Sequence, residues 1–174
     1  SWPKPQRVIN EMLRFMAEDG GSPGRAGHRQ AVAAERIVRD VRVKLARLIN
    51  VDDPNRIIHC LNGTDALNIA LKGSLREGDH VVCNQLDHNS VSRPLEALAA
   101  RKFVTLTRVP VAGDGCVDPD AIRAAITPAT RLIATVHASN VTGMIQPVAE
   151  IGHIARGRGL LFLVDAAQAA GVVD

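Results

Sequence analysis

Tyrosine is missing from this 174-residue sequence, and Trp2, Phe15, Phe103 and Phe162 are its only aromatic residues. The interior must therefore be assembled from valine, isoleucine, leucine and alanine. Cysteine is scarce too. Cys60, Cys83 and Cys116 are odd in number and far apart, which argues against a disulfide framework and against a metal site of the zinc type. Cys60 and Cys83 stand in apolar runs, where a thiol behaves as a small buried hydrophobe. Charge of one sign never accumulates. The net charge is +3 and no run of lysine or arginine occurs, so neither nucleic acid nor a membrane surface is indicated as a partner. No apolar stretch is long enough to span a bilayer, and the N-terminus has no signal-peptide pattern. The expected compartment is the cytoplasm.

What is present is ordinary for a globular protein: 46% apolar and 22% charged residues, in a chain long enough for a sizeable core. Apolar residues at Val8, Ile9, Met12, Leu13 and Met16 predict a helix over 6–18. The loop 19–27 carries four glycines and is expected to be loosely held. A second helix follows, with Ile37, Val38, Val41, Leu45, Leu48 and Ile49 on one face. These elements form an N-terminal helical arm, residues 1–53. From residue 54 the pattern changes to strands alternating with helices. Strands are predicted at 57–61, 81–83, 103–106, 132–136 and 160–164. Helices are predicted at 65–72, 94–101, 118–126 and 147–158. Asp118-Pro119 reads as a cap followed by proline at the first helical position. Repeated βα units of this length predict an α/β fold, a mostly parallel sheet with flanking helices and right-handed crossovers.

The run Leu160-Leu161-Phe162-Leu163-Val164 reads as a strand buried on both faces. It delivers Asp165 at its C-terminal end, the edge at which ligands sit in open α/β sheets. A buried carboxylate is costly unless partnered, so Asp165 calls for a cation, a ring of donors or water. By itself it reads equally well as a cap for the next segment. Other strand ends carry further polar residues. Asn62-Gly63-Thr64-Asp65 opens a helix, where exposed N–H groups beside a hydroxyl and a glycine suit a phosphate. Thr64 also fits a plain helix cap. Asp87-His88-Asn89-Ser90 follows the second strand, and His137-Ala138-Ser139-Asn140-Val141-Thr142-Gly143 follows the fourth. Singly, His88 is a loop histidine and Asn140 a turn residue. Together with Asp165 and Gln168 they bring a phosphate site, a flat imidazole, two amides and a carboxylate to one rim.

Thr64-Asp65, Asp87-His88, Ser139-Asn140-Val141-Thr142-Gly143 and Val164-Asp165-Ala166-Ala167-Gln168 resemble, in order and spacing, the class V aminotransferase family of pyridoxal-phosphate enzymes. That family includes the cysteine desulfurases and selenocysteine lyases. The loop Ser22-Pro23-Gly24-Arg25-Ala26-Gly27-His28 looks like the desulfurase branch. The resemblance implies the large domain of the fold-type-I architecture and pyridoxal 5'-phosphate as cofactor. It implies that Gly63 and Thr64 bind the cofactor phosphate. His88 would stack on the ring and serve as the candidate catalytic residue, moving protons. Asn140 and Gln168 would contact the phenolic oxygen, and Asp165 would pair with the pyridinium nitrogen.

It further implies a small amino-acid substrate, a sulfur-acceptor protein as partner and a homodimer in which Arg25 and His28 reach an active site. In the family the cofactor is anchored by a lysine beyond the VDAAQ motif. The four lysines here, Lys4, Lys44, Lys72 and Lys102, stand in no such setting. The implied chain is a fragment without the small C-terminal domain, inactive by itself, of an enzyme that removes sulfur or selenium from cysteine or selenocysteine. Transamination, epimerisation or another lyase reaction on the same scaffold stays open. So does a non-catalytic binding module with a relic cofactor site.

Overall fold

The computed structural model describes residues 3–24 and 27–173. Its contacts divide the chain into two units, Ser1–His59 and Cys60–Asp174. In the first, α1 spans Gln6–Arg14 and runs on as a π-helical turn, Phe15–Asp19. Arg14 binds Glu11 at 2.8 Å and Asp19 at 2.6 Å there. Helix α2, Arg29–Leu48, starts at His28, whose Nδ1 accepts the Ala31 N–H. A 3₁₀ turn at Pro54–Arg56 packs back on α2, which is why it groups with the arm.

Arg25 lies outside the described residues, as does Ala26. The start of the glycine-rich loop lies close to α2. A Cβ added at Gly21 would come within 2.7 Å of the Gln30 backbone, so the chain seats there against its own helix and only glycine fits.

The second unit is the α/β layer. Its elements are α3 Gly63–Ser74, β1 Asp79–Asn84, α4 Asn89–Ala100, β2 Val104–Val109, α5 Pro119–Ala124, β3 Thr130–Val136, α6 Val148–Gly157 and β4 Leu161–Asp165. All strand pairs are parallel, in the order β2-β1-β3-β4. Side chains alternate across the sheet as the pleat requires. Val81, Cys83, Leu132 and Ala134 meet Leu67 and Leu71 of α3 and Val91 and Leu95 of α4 on one face. Val82 and Ile133 meet Ile122 of α5 and Ile151 and Ala155 of α6 on the other. Among the described residues no helix is long and apolar enough to cross a membrane.

Two expectations are corrected. The sheet has four strands, not five: residues 57–61 form none. A strand persists only where its backbone groups find a neighbour. This segment pairs with no strand among the described residues, and Ile58 and Leu61 stay 67% and 89% exposed. The strand before Asp165 is not buried on both faces either. It is β4, at the sheet edge, and its apolar residues are half-covered, with Leu161 exposed. The doubly buried strands are the central β1 and β3.

Candidate active site

Strands β1 and β3 are neighbours in the sheet but not in sequence, because the chain moves outward to β2 and then crosses back. Connections diverge at their C-terminal ends, which opens the crevice where α/β sheets bind ligands. One buried carboxylate ties the two ends together. Asp87 accepts the backbone N–H of Asn84 at 2.8 Å and that of Val136 at 2.8 Å, with the Asn84 amide at 3.2 Å. Asn84 also donates to the Thr135 hydroxyl. Burial pushes the Asp87 carboxyl up to about 7, against the pull of those two backbone donors.

Beside this clamp lies a cavity of about 180 Å³ that brings together Gly63, Thr64, His88, Asn140, Asp165 and Gln168. Each is placed by a local device. Asn62, not Thr64, caps α3: its side-chain oxygen accepts the Asp65 N–H at 2.9 Å. The N–H groups of Gly63 and Thr64 are thereby left at the open end of the helix, where the dipole favours an anion. Gly63 and Thr64 both line the cavity, and a Cβ built on Gly63 would meet nothing within 4 Å. His88 caps α4, its Nδ1 accepting the Ser90 N–H at 3.1 Å, and its ring is exposed to the cavity.

Asn140 rides on a turn held by buried Ser139, whose hydroxyl accepts the N–H of Val141 and of Thr142, while Gly143 supplies the positive φ. Asp165 ends β4. It is 7% exposed, and the one hydrogen bond to its carboxylate among the described residues comes from the Ala167 N–H at 3.1 Å. No arginine or lysine pairs with it there. Gln168 is exposed on the turn that follows.

Pyridoxal phosphate fits this donor set. A buried carboxylate that faces a cavity with one donor and no counter-cation among the described residues suits a protonated ring nitrogen. Free N–H groups at the start of α3 suit a phosphate. No lysine is among the lining residues. The sequence reading missed Ser90, buried in the cavity wall, where its hydroxyl bridges Thr64 and His88. It also left Asp87 without a role. The signal for Ser90 was a serine two residues into a helix capped by histidine. For Asp87 there was none, since the contact that ties it to the second strand, the Val136 N–H, lies far away in sequence.

Comparison with known proteins concerns the chain as a whole. The sequence profile of the aminotransferase class-V family matches residues 1–173. A cysteine desulfurase IscS from Methylococcus capsulatus is 35% identical over 99% of this chain and 43% of its own length. The apo structure of a cysteine desulfurase from Thermococcus onnurineus superposes with a TM-score of 0.88 at 28% identity, covering 97% of this chain and 42% of that one. SspA in complex with cysteine superposes at 0.89 with 26% identity, covering 96% and 48%. The chain thus spans less than half the length of the proteins it matches. With the profile covering it nearly end to end and the α/β fold shared, the chain belongs to the class V aminotransferase family.

Proposed function

We propose that this chain forms the cofactor-binding part of a pyridoxal-phosphate enzyme of the cysteine desulfurase kind. The observation that carries the reading is Asp165: a buried carboxylate at a strand end, without a cation among the described residues, facing the same cavity as the open start of α3. When bound, the cofactor supplies an electron sink for carbanion chemistry on an amino acid. Asp165 holds the ring nitrogen protonated, which is what makes that sink effective. Gly63 and Thr64 take the phosphate. His88 lies against the ring and moves a proton, while Asn140 and Gln168 orient the phenolic oxygen. By likeness to the relatives, the substrate is cysteine, and sulfur passes to an acceptor protein from a homodimer working in the cytoplasm. That SspA is described with cysteine bound supports the substrate class.

Titration of the 174-residue chain with pyridoxal phosphate, followed by absorbance, tests the reading. Saturable, reversible binding is expected. Asp165→Asn keeps an oxygen for the Ala167 N–H but loses the charge. A charge-assisted contact is worth about 1.5–3 kcal/mol, so binding should weaken roughly 10- to 100-fold. Borohydride reduction with mass mapping should label none of the four lysines stoichiometrically, and this chain by itself should not turn over cysteine. Equal affinity in wild type and Asp165→Asn would refute the role of Asp165. Stoichiometric labelling of Lys72 or Lys102 would refute the site.

A further inference from the structure

Ser90 bridges Thr64 and His88 in the cavity wall. Its backbone N–H donates to His88 Nδ1 at 3.1 Å. Its hydroxyl oxygen lies 2.9 Å from the same nitrogen and 2.7 Å from the Thr64 hydroxyl. An amide N–H can only donate, so Nδ1 is the acceptor and the proton of the neutral imidazole sits on Nε2. That fixes the direction of the remaining contacts. The Ser90 hydroxyl donates to Nδ1, and the Thr64 hydroxyl donates to Ser90 Oγ.

A phosphate dianion offers acceptors and no donor. Seated on Thr64, it turns the Thr64 proton toward itself, and Thr64 Oγ1 then becomes an acceptor that competes with Nδ1 for the Ser90 proton. We infer that Ser90 is a positioning residue that couples an anion at Thr64 to the hydrogen bonding of His88. With the anion bound, the Ser90 hydroxyl turns from His88 to Thr64, and the imidazole is held by the backbone N–H alone. The step exchanges hydrogen bonds and breaks no covalent bond. It rests on reading Gly63 and Thr64 as a phosphate site.

The experiment is ¹⁵N NMR of the 174-residue chain with labelled histidine and backbone, titrated with inorganic phosphate and, separately, with pyridoxal phosphate. Without ligand, His88 should show an unprotonated Nδ1 and a protonated Nε2. As the Gly63 and Thr64 amides respond to phosphate, Nδ1 should move downfield with the same midpoint, as expected for an acceptor losing a donor. In Ser90→Ala, Nδ1 should start downfield and stay there while the amides still respond. Ser90→Thr should restore the movement. Ser90→Cys, close in size and a weak donor, should show the same loss if the alanine variant does not fold.

A protonated Nδ1 in the wild type overturns the inference, and so does a Ser90→Ala variant that behaves like wild type. Amides that respond while Nδ1 stays fixed remove the coupling and leave the phosphate site standing. Amides that respond to neither probe remove the phosphate site, and the coupling falls with it.

Discussion

Asp87 accepts an N–H from the end of each central strand, and the cost of burying its charge makes stability depend on pH. Its carboxyl is raised from 3.8 to about 7, chiefly by burial. Between these values the folded chain binds more protons than the unfolded one, so this group's contribution is full below about 4 and lost as pH rises through about 7. At about 1.4 kcal/mol per unit, urea denaturation at pH 5 and pH 8 should show wild type losing roughly 2–3 kcal/mol relative to Asp87→Asn. A constant difference would show a carboxylate already ionised at pH 5, held so by its three N–H donors. His80 works in the opposite sense. It is 4% exposed, with its ring between the Thr130 and Thr107 hydroxyls, and burial lowers its pKa. Its contribution is present above the unfolded value of 6.5 and is lost as pH falls through the folded one. Cys83 is inert by the same physics: burial pushes its thiol up to about 11.

Among the elements, α3 matters most to the site, because its first turn presents Gly63 and Thr64. Asn62→Ala removes the side-chain cap on Asp65 N–H and should cost about 1 kcal/mol in urea denaturation, with Asn62→Ser recovering most of it. An unchanged midpoint would show that the Asp65 carboxylate, which accepts the Leu61 N–H at 3.2 Å, already holds the turn. The helix itself was legible in the sequence, as were the parallel sheet and the strand ends that carry His88, Asn140 and Asp165, since each rests on local periodicity and a short polar motif. The cap was not. Asn62 and Thr64 stand two residues apart and either side chain suits the position, so the backbone decides. Residues 57–61 and β4 show the same limit on a larger scale. An apolar run announces β propensity, but whether it pairs, and on how many sides it is covered, depends on neighbours distant in sequence. Ser90 escaped notice because its importance lies in a partner on another helix, Thr64, 26 residues earlier.

Across the whole molecule, burial is uneven, and local stability should follow it. Central strands β1 and β3 are covered on both faces, with Val81, Val82, Ile133 and Ala134 fully buried. Helix α1, nine residues long, buries none of its own. A helix that short is marginal in water without tertiary cover, and α1 leaves Met12 and Leu13 more than half exposed. Amides of β1 and β3 should therefore exchange only through global unfolding, and those of α1 by local opening, orders of magnitude sooner. Hydrogen–deuterium exchange with peptide mapping reads this directly. The experiment should be run at two protein concentrations, because the exposed stripe Val8, Ile9, Met12, Leu13 and Met16 is apolar enough to be covered by association. Fast exchange of α1 at both concentrations is the result expected of the chain by itself. Protection that appears only at the higher concentration would place a second copy on that stripe. Protection equal to that of β1 at both concentrations would contradict the burial pattern.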